Sequence, residues 1–154
     1  MAGVILNHLI HIATHGEFRA DNPLFSGLFL DDGWLTTLDI FNLELEASLV
    51  TLSACHTGRS VISGGDELLG IARAFLTAGA ASLLLSQWAV EDRSTALLMM
   101  AFYEELLAGQ TKDRALQRAQ LALLRGELNH DTTSTYQHPF FWSPFFLIGH
   151  NGRL

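Results

Sequence analysis

Residues 48–87, SLVTLSACHTGRSVISGGDELLGIARAFLTAGAASLLLSQ, decide the fold class of this chain. The stretch contains one short apolar run at 48–54 and a second at 82–87, and each run ends in small or polar residues. Such runs are typical of buried strands in a parallel sheet. Between them, residues 66–79 place apolar side chains at helical spacing, and Gly79 closes the predicted helix. A strand, a crossover helix and a second strand predict an open α/β sheet.

The rest of the chain continues this alternation of apolar runs and helical patterns. These segments are further strands at 4–14 and 143–149 and further helices at about 94–107 and about 113–128. Residues 26–38 carry Asp32 and Gly33 between two apolar pairs, which is the signal for a hairpin. We therefore predict an open, mostly parallel sheet with flanking helices and a hairpin after the first strand. Ligand sites of such sheets lie beyond the carboxyl ends of the strands.

Composition limits the kinds of partner that this chain can bind. Its 154 residues are enough for one domain with a hydrophobic core, and hydrophobic residues make up 49% of them. The net charge of -7 disfavours direct binding to a phosphate backbone, and polar residues interrupt the opening apolar run before it reaches the length of a membrane span. The single cysteine is consistent with a free thiol in a reducing compartment. We expect a single cytoplasmic domain with no direct contact to nucleic acid or membrane.

Two predicted strands end in residues that suit nucleophilic catalysis. Residues 52–58, LSACHTG, present Cys55 after an apolar strand and before a glycine that permits a tight turn. Residues 12–16, IATHG, present His15 in the same way. An imidazole can activate a thiol as a nucleophile if the two strands are neighbours. On spacing alone, the alternative remains that Cys55 is an inert, buried residue.

Five segments together resemble the CHAT family, which consists of caspase-like domains commonly attached to tetratricopeptide repeats. They are ILNHLIHIATHGEF (5–18), PLFSGLFLDDGWLTTLDI (23–40), LVTLSACHTG (49–58), SGGDELLGIARAFLTAGAASLLLSQWAVEDRST (63–95) and HPFFWSPFFLIG (138–149). The resemblance covers nearly the whole chain. It implies a caspase-like fold with a catalytic dyad of His15 and Cys55, and an oxyanion hole formed by the backbone N–H groups of Gly16 and Cys55. The implied reaction is acyl transfer from a peptide through a thioester, which needs no metal and no cofactor.

The same resemblance implies a substrate pocket in the segment that follows residues 82–87. Asp92 would favour a basic side chain before the scissile bond, and Trp88 would line the same pocket. The alternatives are that Asp92 caps the helix beginning near Ser94 and that Trp88 belongs to the core. Gln87 departs from the family, whose members usually have leucine there.

The resemblance also sets the expected function and its alternatives. We expect a cysteine endopeptidase that cleaves a protein partner, within a longer parent protein that carries tetratricopeptide repeats. The alternative is a catalytically inactive, caspase-like interaction module. A small-molecule acyl-transfer enzyme is a weaker alternative, because the chain has no glycine-rich phosphate loop or cofactor motif. The family's domain is considerably longer, so we expect residues 1–154 to be a single CHAT domain that lacks its N-terminal portion.

The seven histidines raise the question of a metal site. His8 and His11 differ by an odd number of positions and would face opposite sides of a strand. His11 and His15 would share a face, but no matching third ligand accompanies them. We therefore expect no bound metal.

Overall fold

The computed structural model of this protein describes residues 4–6, 9–17, 19, 21–56, 66–128 and 136–154. Within these ranges the chain forms seven strands and four α-helices. The strands are β1 (Val4–Leu6), β2 (Leu9–Glu17), β3 (Gly27–Leu30), β4 (Gly33–Thr36), β5 (Leu49–His56), β6 (Ser82–Ser86) and β7 (Phe145–Gly149). The α-helices are α1 (Thr37–Phe41), α2 (Asp66–Thr77), α3 (Asp92–Leu107) and α4 (Lys112–Leu124). Short 3-10 helices are at Pro23–Phe25 and Pro139–Phe141.

The strands form one open sheet in the order β4-β3-β2-β5-β6-β7, and β1 pairs with β2. The central strands β2, β5 and β6 run parallel to one another. The flanking strands β3, β4 and β7, together with β1, pair in the antiparallel sense. The predicted open α/β sheet with a parallel core and a hairpin is confirmed.

Two layers of helices cover the two faces of the sheet. The α1–α2 face is packed by a core that includes Ile40, Val50, Leu52, Ile71, Phe75, Leu83 and Leu85. The α3–α4 face is packed by a second core that includes Leu49, Leu84, Leu98, Phe102, Leu116, Leu123 and Phe145. Successive residues of a strand point to opposite faces, which explains why neighbouring residues of β5 and β6 belong to different cores. Among the described helices, none combines the length and the apolar character needed to cross a membrane.

Gly79 ends the crossover after α2, as predicted. Its φ of 110° lies in the left-handed region, and the N–H of Ala80 donates to the carbonyl of Phe75 over 3.0 Å. A Cβ at position 79 would overlap the carbonyl oxygen of Leu45. A side chain here would therefore meet both backbone strain and a steric clash.

The structure differs from the predicted elements at several boundaries. The run at 4–14 contains two antiparallel strands instead of one, and Leu6 is the register partner of Leu9. The apolar pattern alone did not reveal this change of chain direction. The hairpin joins Leu30 to its register partner Gly33, so its turn lies one residue earlier than predicted. Helix α3 begins at Asp92, two residues before the predicted start.

Two of the helices also differ from the sequence-based prediction. Helix α4 ends at Leu124 rather than near Leu128. Helix α1 was not predicted at all. It begins with a capping box in which the Thr36 side chain accepts from the N–H of Asp39, and the Asp39 carboxylate accepts from the N–H of Thr36.

Candidate active site

Strands β2 and β5 bring the two predicted catalytic positions side by side. They pair in parallel over eight residues of each strand, and the register makes His15 the partner of Cys55. Adjacent strands are roughly 4.8 Å apart, so the two backbones are close at this point. Both residues lie at the carboxyl ends of their strands, and the His15 side chain is exposed. This is the edge of a parallel sheet at which ligand sites are expected.

Gly16, the predicted oxyanion-hole residue, lies near the end of β2, with β3 on one side and β5 on the other. It is buried, and its register partners are His56 in β5 and Leu28 in β3. The contribution of its N–H to an oxyanion hole stays a prediction, and so does that of the Cys55 N–H.

A hydrogen-bonded network of four polar side chains lies on the α3–α4 face of the same two strands. The Nε2 of His11 is 3.1 Å from the Oγ of Ser53, and its Nδ1 is 3.0 Å from the hydroxyl of Tyr103. The Tyr103 hydroxyl also donates to the Oγ1 of Thr51 over 3.0 Å. The network therefore joins β2, β5 and α3.

The network is uncharged at neutral pH. Burial lowers the pKa of His11, which favours its neutral imidazole. Burial also raises the pKa of Tyr103 to about 12, although the hydrogen bond to Thr51 opposes this shift. Because the Tyr103 hydroxyl donates its one O–H to Thr51, its oxygen accepts a hydrogen bond from the Nδ1–H of His11. The Nε2 lone pair of His11 is then the acceptor for the hydroxyl of Ser53.

Sequence reasoning missed this network, although a partial signal was present. Thr51 and Ser53 are polar residues at alternate positions of an otherwise apolar strand, the same positions of the pleat as Cys55. His11 was considered only as a metal ligand. Tyr103 has no local signal, because it lies in a helix 92 residues from His11 along the chain.

Both ring nitrogens of His11 are within hydrogen-bonding distance of hydroxyl groups. In the part of the chain that the structure describes, no group of three or more His, Cys, Asp or Glu side chains is arranged to hold a metal ion.

Trp88 follows the carboxyl end of β6, on the same edge of the sheet as the ends of β2 and β5. It is partly buried against the α3–α4 core. Its indole N–H donates to the carbonyl of Phe140 over 3.1 Å, and the two rings stack with centroids 6.2 Å apart. Phe140 is 46% exposed. The Trp88 ring therefore contacts both the α3–α4 core and the partly exposed ring of Phe140.

Asp92 does not cap the helix, so that alternative is wrong. The N-cap of α3 is Glu91, whose carboxylate accepts from the N–H of Ser94 over 2.6 Å. Burial raises the pKa of Glu91, but hydrogen bonds from the backbone of Ser94 and Arg93 outweigh this effect, and the net shift is downward. Asp92 is the first residue of the helix, and its side chain is exposed.

An open sheet with a parallel core, covered on both faces by helices and carrying histidine and cysteine at neighbouring carboxyl ends, is the architecture of caspase-like α/β domains. The family model described as "CHAT domain" matches residues 7–150, and the chain belongs to this family. The chain is also similar to tetratricopeptide repeat protein 28 of Homo sapiens, with 31% identity over 142 residues that cover 92% of this chain. The protein of the same name from Mus musculus is 31% identical over 120 residues, which cover 78% of this chain. Each alignment covers 5% of the relative, so the chain corresponds to a small part of these proteins.

Proposed function

We propose that this chain is a cysteine endopeptidase domain that cleaves a protein partner through a dyad of His15 and Cys55. The observation that carries the proposal is the register of the parallel pair β2 and β5, in which His15 is the partner of Cys55. Membership of the CHAT family supports the same assignment. The exposure of His15 is also consistent with a side chain that must reach a substrate.

The proposed reaction is acyl transfer in two steps. The Cys55 thiolate attacks the carbonyl carbon of a peptide bond, and backbone N–H groups at Gly16 and Cys55 stabilise the oxyanion. The imidazolium of His15 then gives its proton to the leaving amine, which leaves a thioester on Cys55. Water, deprotonated by His15, hydrolyses the thioester and restores the thiolate and the imidazolium.

Asp92 is the proposed determinant of specificity for a basic residue before the scissile bond. Its carboxylate is exposed, and Glu91 performs the capping that would otherwise explain an acidic residue here. It follows β6, whose carboxyl end lies beside that of β5. Trp88, which precedes α3, would form an aromatic wall of the same pocket.

A non-catalytic interaction module is the second candidate. It is favoured by exposed apolar side chains on and around the β3–β4 hairpin. These are Leu24 (46% exposed), Phe25 (48%), Phe29 (46%) and Leu38 (44%). Large exposed apolar side chains are frequent at surfaces that bind another protein, and these four lie within residues 24–38. In either case the partner would be a protein, and the tetratricopeptide repeats named in the relatives would belong to a longer parent.

Covalent labelling of Cys55 tests both candidates. Cys55 is the single cysteine of the chain, so thiol labelling reports on this residue alone. We would measure the rate of labelling by a peptidyl electrophile with Arg at the reactive position, and by the same probe with Leu. An assembled peptidase site predicts fast labelling that falls at least about 100-fold in His15→Ala, in line with the usual contribution of a catalytic acid–base group.

Three variants complete this experiment. His150→Ala removes an exposed imidazole just after β7, at the end of the sheet away from His15 and Cys55. This variant should label like the unmodified chain. Asp92→Asn should remove the preference for Arg over Leu without slowing the Leu probe. Cys55→Ala should abolish cleavage of a peptide substrate while the fold is retained. Slow labelling, equal for both probes and unchanged in His15→Ala, would instead identify the interaction module.

A further inference from the structure

The His11–Ser53–Tyr103–Thr51 network lies directly behind the proposed dyad. His11 is four residues before His15 in β2, and Ser53 is two residues before Cys55 in β5. At a rise of roughly 3.3 Å per residue, the Ser53 layer is about 7 Å below the dyad and the His11 layer about 13 Å below it. The network therefore occupies the polar stretch of the α3–α4 face that leads toward the dyad.

The network joins β2, β5 and α3 by hydrogen bonds, which fix the relative orientation of these elements more specifically than apolar contacts do. The imidazole of His11 reaches diagonally across the strand pair, because its register partner is Thr51 but its Nε2 lies beside the Oγ of Ser53. Tyr103 then joins this pair of strands to α3 through two hydrogen bonds of 3.0 Å. Each of these bonds depends on direction, whereas burial of apolar surface does not.

The donor of each hydrogen bond in the network follows from the bond that Tyr103 donates to Thr51 and from the neutral imidazole that burial favours by lowering the pKa of His11. The order of donation runs from Ser53 to His11, from His11 to Tyr103 and from Tyr103 to Thr51, and each shared proton has one acceptor. A doubly protonated ring would donate to both Ser53 and Tyr103, so the Ser53 hydroxyl would accept from His11 instead of donating to it. With the neutral ring, the Ser53 hydroxyl is held toward His11.

We propose that His11 is a positioning residue for the dyad. Through its hydrogen bond to Ser53, His11 fixes the side chain two residues before Cys55. Through its hydrogen bond to Tyr103, it fixes the distance between β2 and α3. His11 touches neither the substrate nor the reacting atoms. This inference rests on the proposed function, since a positioning role requires a reaction at Cys55.

The pH profile of Cys55 alkylation in the full chain tests this role. The second-order rate constants for iodoacetamide and for the Arg-bearing peptidyl electrophile would be measured against pH in the unmodified chain, His11→Phe, His11→Gln and Tyr103→Phe. We expect His11→Phe to slow inactivation by the peptidyl probe about 10- to 100-fold, the range that a misplacement of about 1 Å produces. The loss should fall on the maximal inactivation rate rather than on probe binding, and the apparent pKa of the thiol should move toward that of an ordinary cysteine.

Conservative and control variants separate positioning from a general loss of structure. Gln can both donate and accept, so His11→Gln should recover part of the rate. Tyr103→Phe, which keeps the ring, should give a smaller loss in the same direction. His150→Phe changes an exposed imidazole and should match the unmodified chain in rate and pH profile. Urea unfolding of each variant would confirm that the assays sample folded protein.

Two negative results are distinguishable. If the unmodified chain labels at the rate of an ordinary thiol and His15→Ala does not alter it, the proposed function is overturned, and the role of His11 falls with it. If labelling depends on His15 but His11→Phe and Tyr103→Phe retain the full rate and pH profile, the positioning role alone is overturned.

Discussion

The two faces of the central strands differ in chemistry, although the same strands build both. On the α1–α2 face, β5 presents Val50 and Leu52, which are 0% and 3% exposed and belong to an apolar core. On the α3–α4 face, the same strand begins with Leu49 but continues with Thr51 and Ser53. In β5, the first face is apolar at Val50 and Leu52, whereas the second face becomes polar at Thr51 and Ser53.

This difference separates two tasks within one sheet. Apolar burial supplies stability without fixing direction, and the α1–α2 face relies on it. Hydrogen bonds fix orientation but demand that every buried polar group find a partner, and the α3–α4 face meets that demand around His11. The polar contacts lie in the two layers about 7 Å and about 13 Å below His15 and Cys55, on the same side of the strands.

The largest effect is expected when polarity is placed on the apolar face. Leu52→Thr removes apolar volume from a filled core and buries a hydroxyl without a designed partner. We expect the free energy of unfolding to fall by about 3–4 kcal/mol. The measurement is urea unfolding followed by circular dichroism.

Thr51→Val is the matched change on the polar face, one residue earlier in the same strand. It removes one acceptor of the Tyr103 hydroxyl with little change in volume, so we expect a loss of about 1 kcal/mol. Equal losses in the two variants would contradict the distinction between the faces.

A loss between those of Leu52→Thr and Thr51→Val is expected when the Tyr103 hydroxyl is removed from the network. Tyr103→Phe leaves Nδ1 of His11 and Oγ1 of Thr51 without their shared partner. We expect a loss of about 1–2 kcal/mol in unfolding free energy. Tyr136→Phe removes the same group from a buried ring of the same core and should change stability by less than about 0.5 kcal/mol. A Tyr103 variant as stable as the Tyr136 variant would show that the network contributes no stability.

The strands and the crossover helix were predictable because their patterns are local. A run such as 82–87 or the helical spacing of 66–79 reports its own conformation within one segment. The pairing of His15 with Cys55 was predictable only in part. Both were recognised as strand-end residues, but their register depends on the adjacency of β2 and β5, which no local pattern encodes.

The remaining features depend on contacts that are distant along the chain. The reversal between β1 and β2 falls inside residues 4–14, which were predicted as a single strand. Tyr103 occupies a position that looks like any other aromatic residue of an amphipathic helix, and its partners lie 52 and 92 residues away. The capping of α3 by Glu91 rather than Asp92 rests on a difference of one residue in where the helix begins.

The pH dependence of stability tests whether His11 is neutral in the folded chain. Its folded pKa lies below the value of about 6.5 for an unfolded histidine, so only the unfolded state takes up a proton as the pH first falls below that value. The contribution of His11 to stability is therefore present above about pH 6.5 and is lost as the pH falls, with a slope of at most about 1.4 kcal/mol per pH unit. We would measure urea unfolding from about pH 8 to about pH 5 in the unmodified chain and in His11→Gln.

The difference between these two pH curves isolates His11, because the other histidines contribute equally to both. The unmodified chain should lose more stability on acidification than His11→Gln. Parallel curves would mean that folding does not shift the pKa of His11, and the description of a neutral, desolvated imidazole would then be wrong.

The smallest effect is expected from Asp92 at the start of α3, where adjacent carboxylates have different roles. Glu91→Ala removes the acceptor for the N–H of Ser94 and should lower the unfolding free energy by about 1 kcal/mol. Asp92→Ala removes only an exposed charge near the helix N-terminus and should lower it by about 0.3 kcal/mol. Because α3 carries Tyr103, Glu91→Ala should also slow labelling of Cys55 slightly and equally for the Arg and Leu probes, whereas Asp92→Ala should change the ratio between the probes. If the two variants had interchanged effects, Asp92 would belong to the framework of the helix, and the acidic group of the proposed pocket would have to be sought elsewhere.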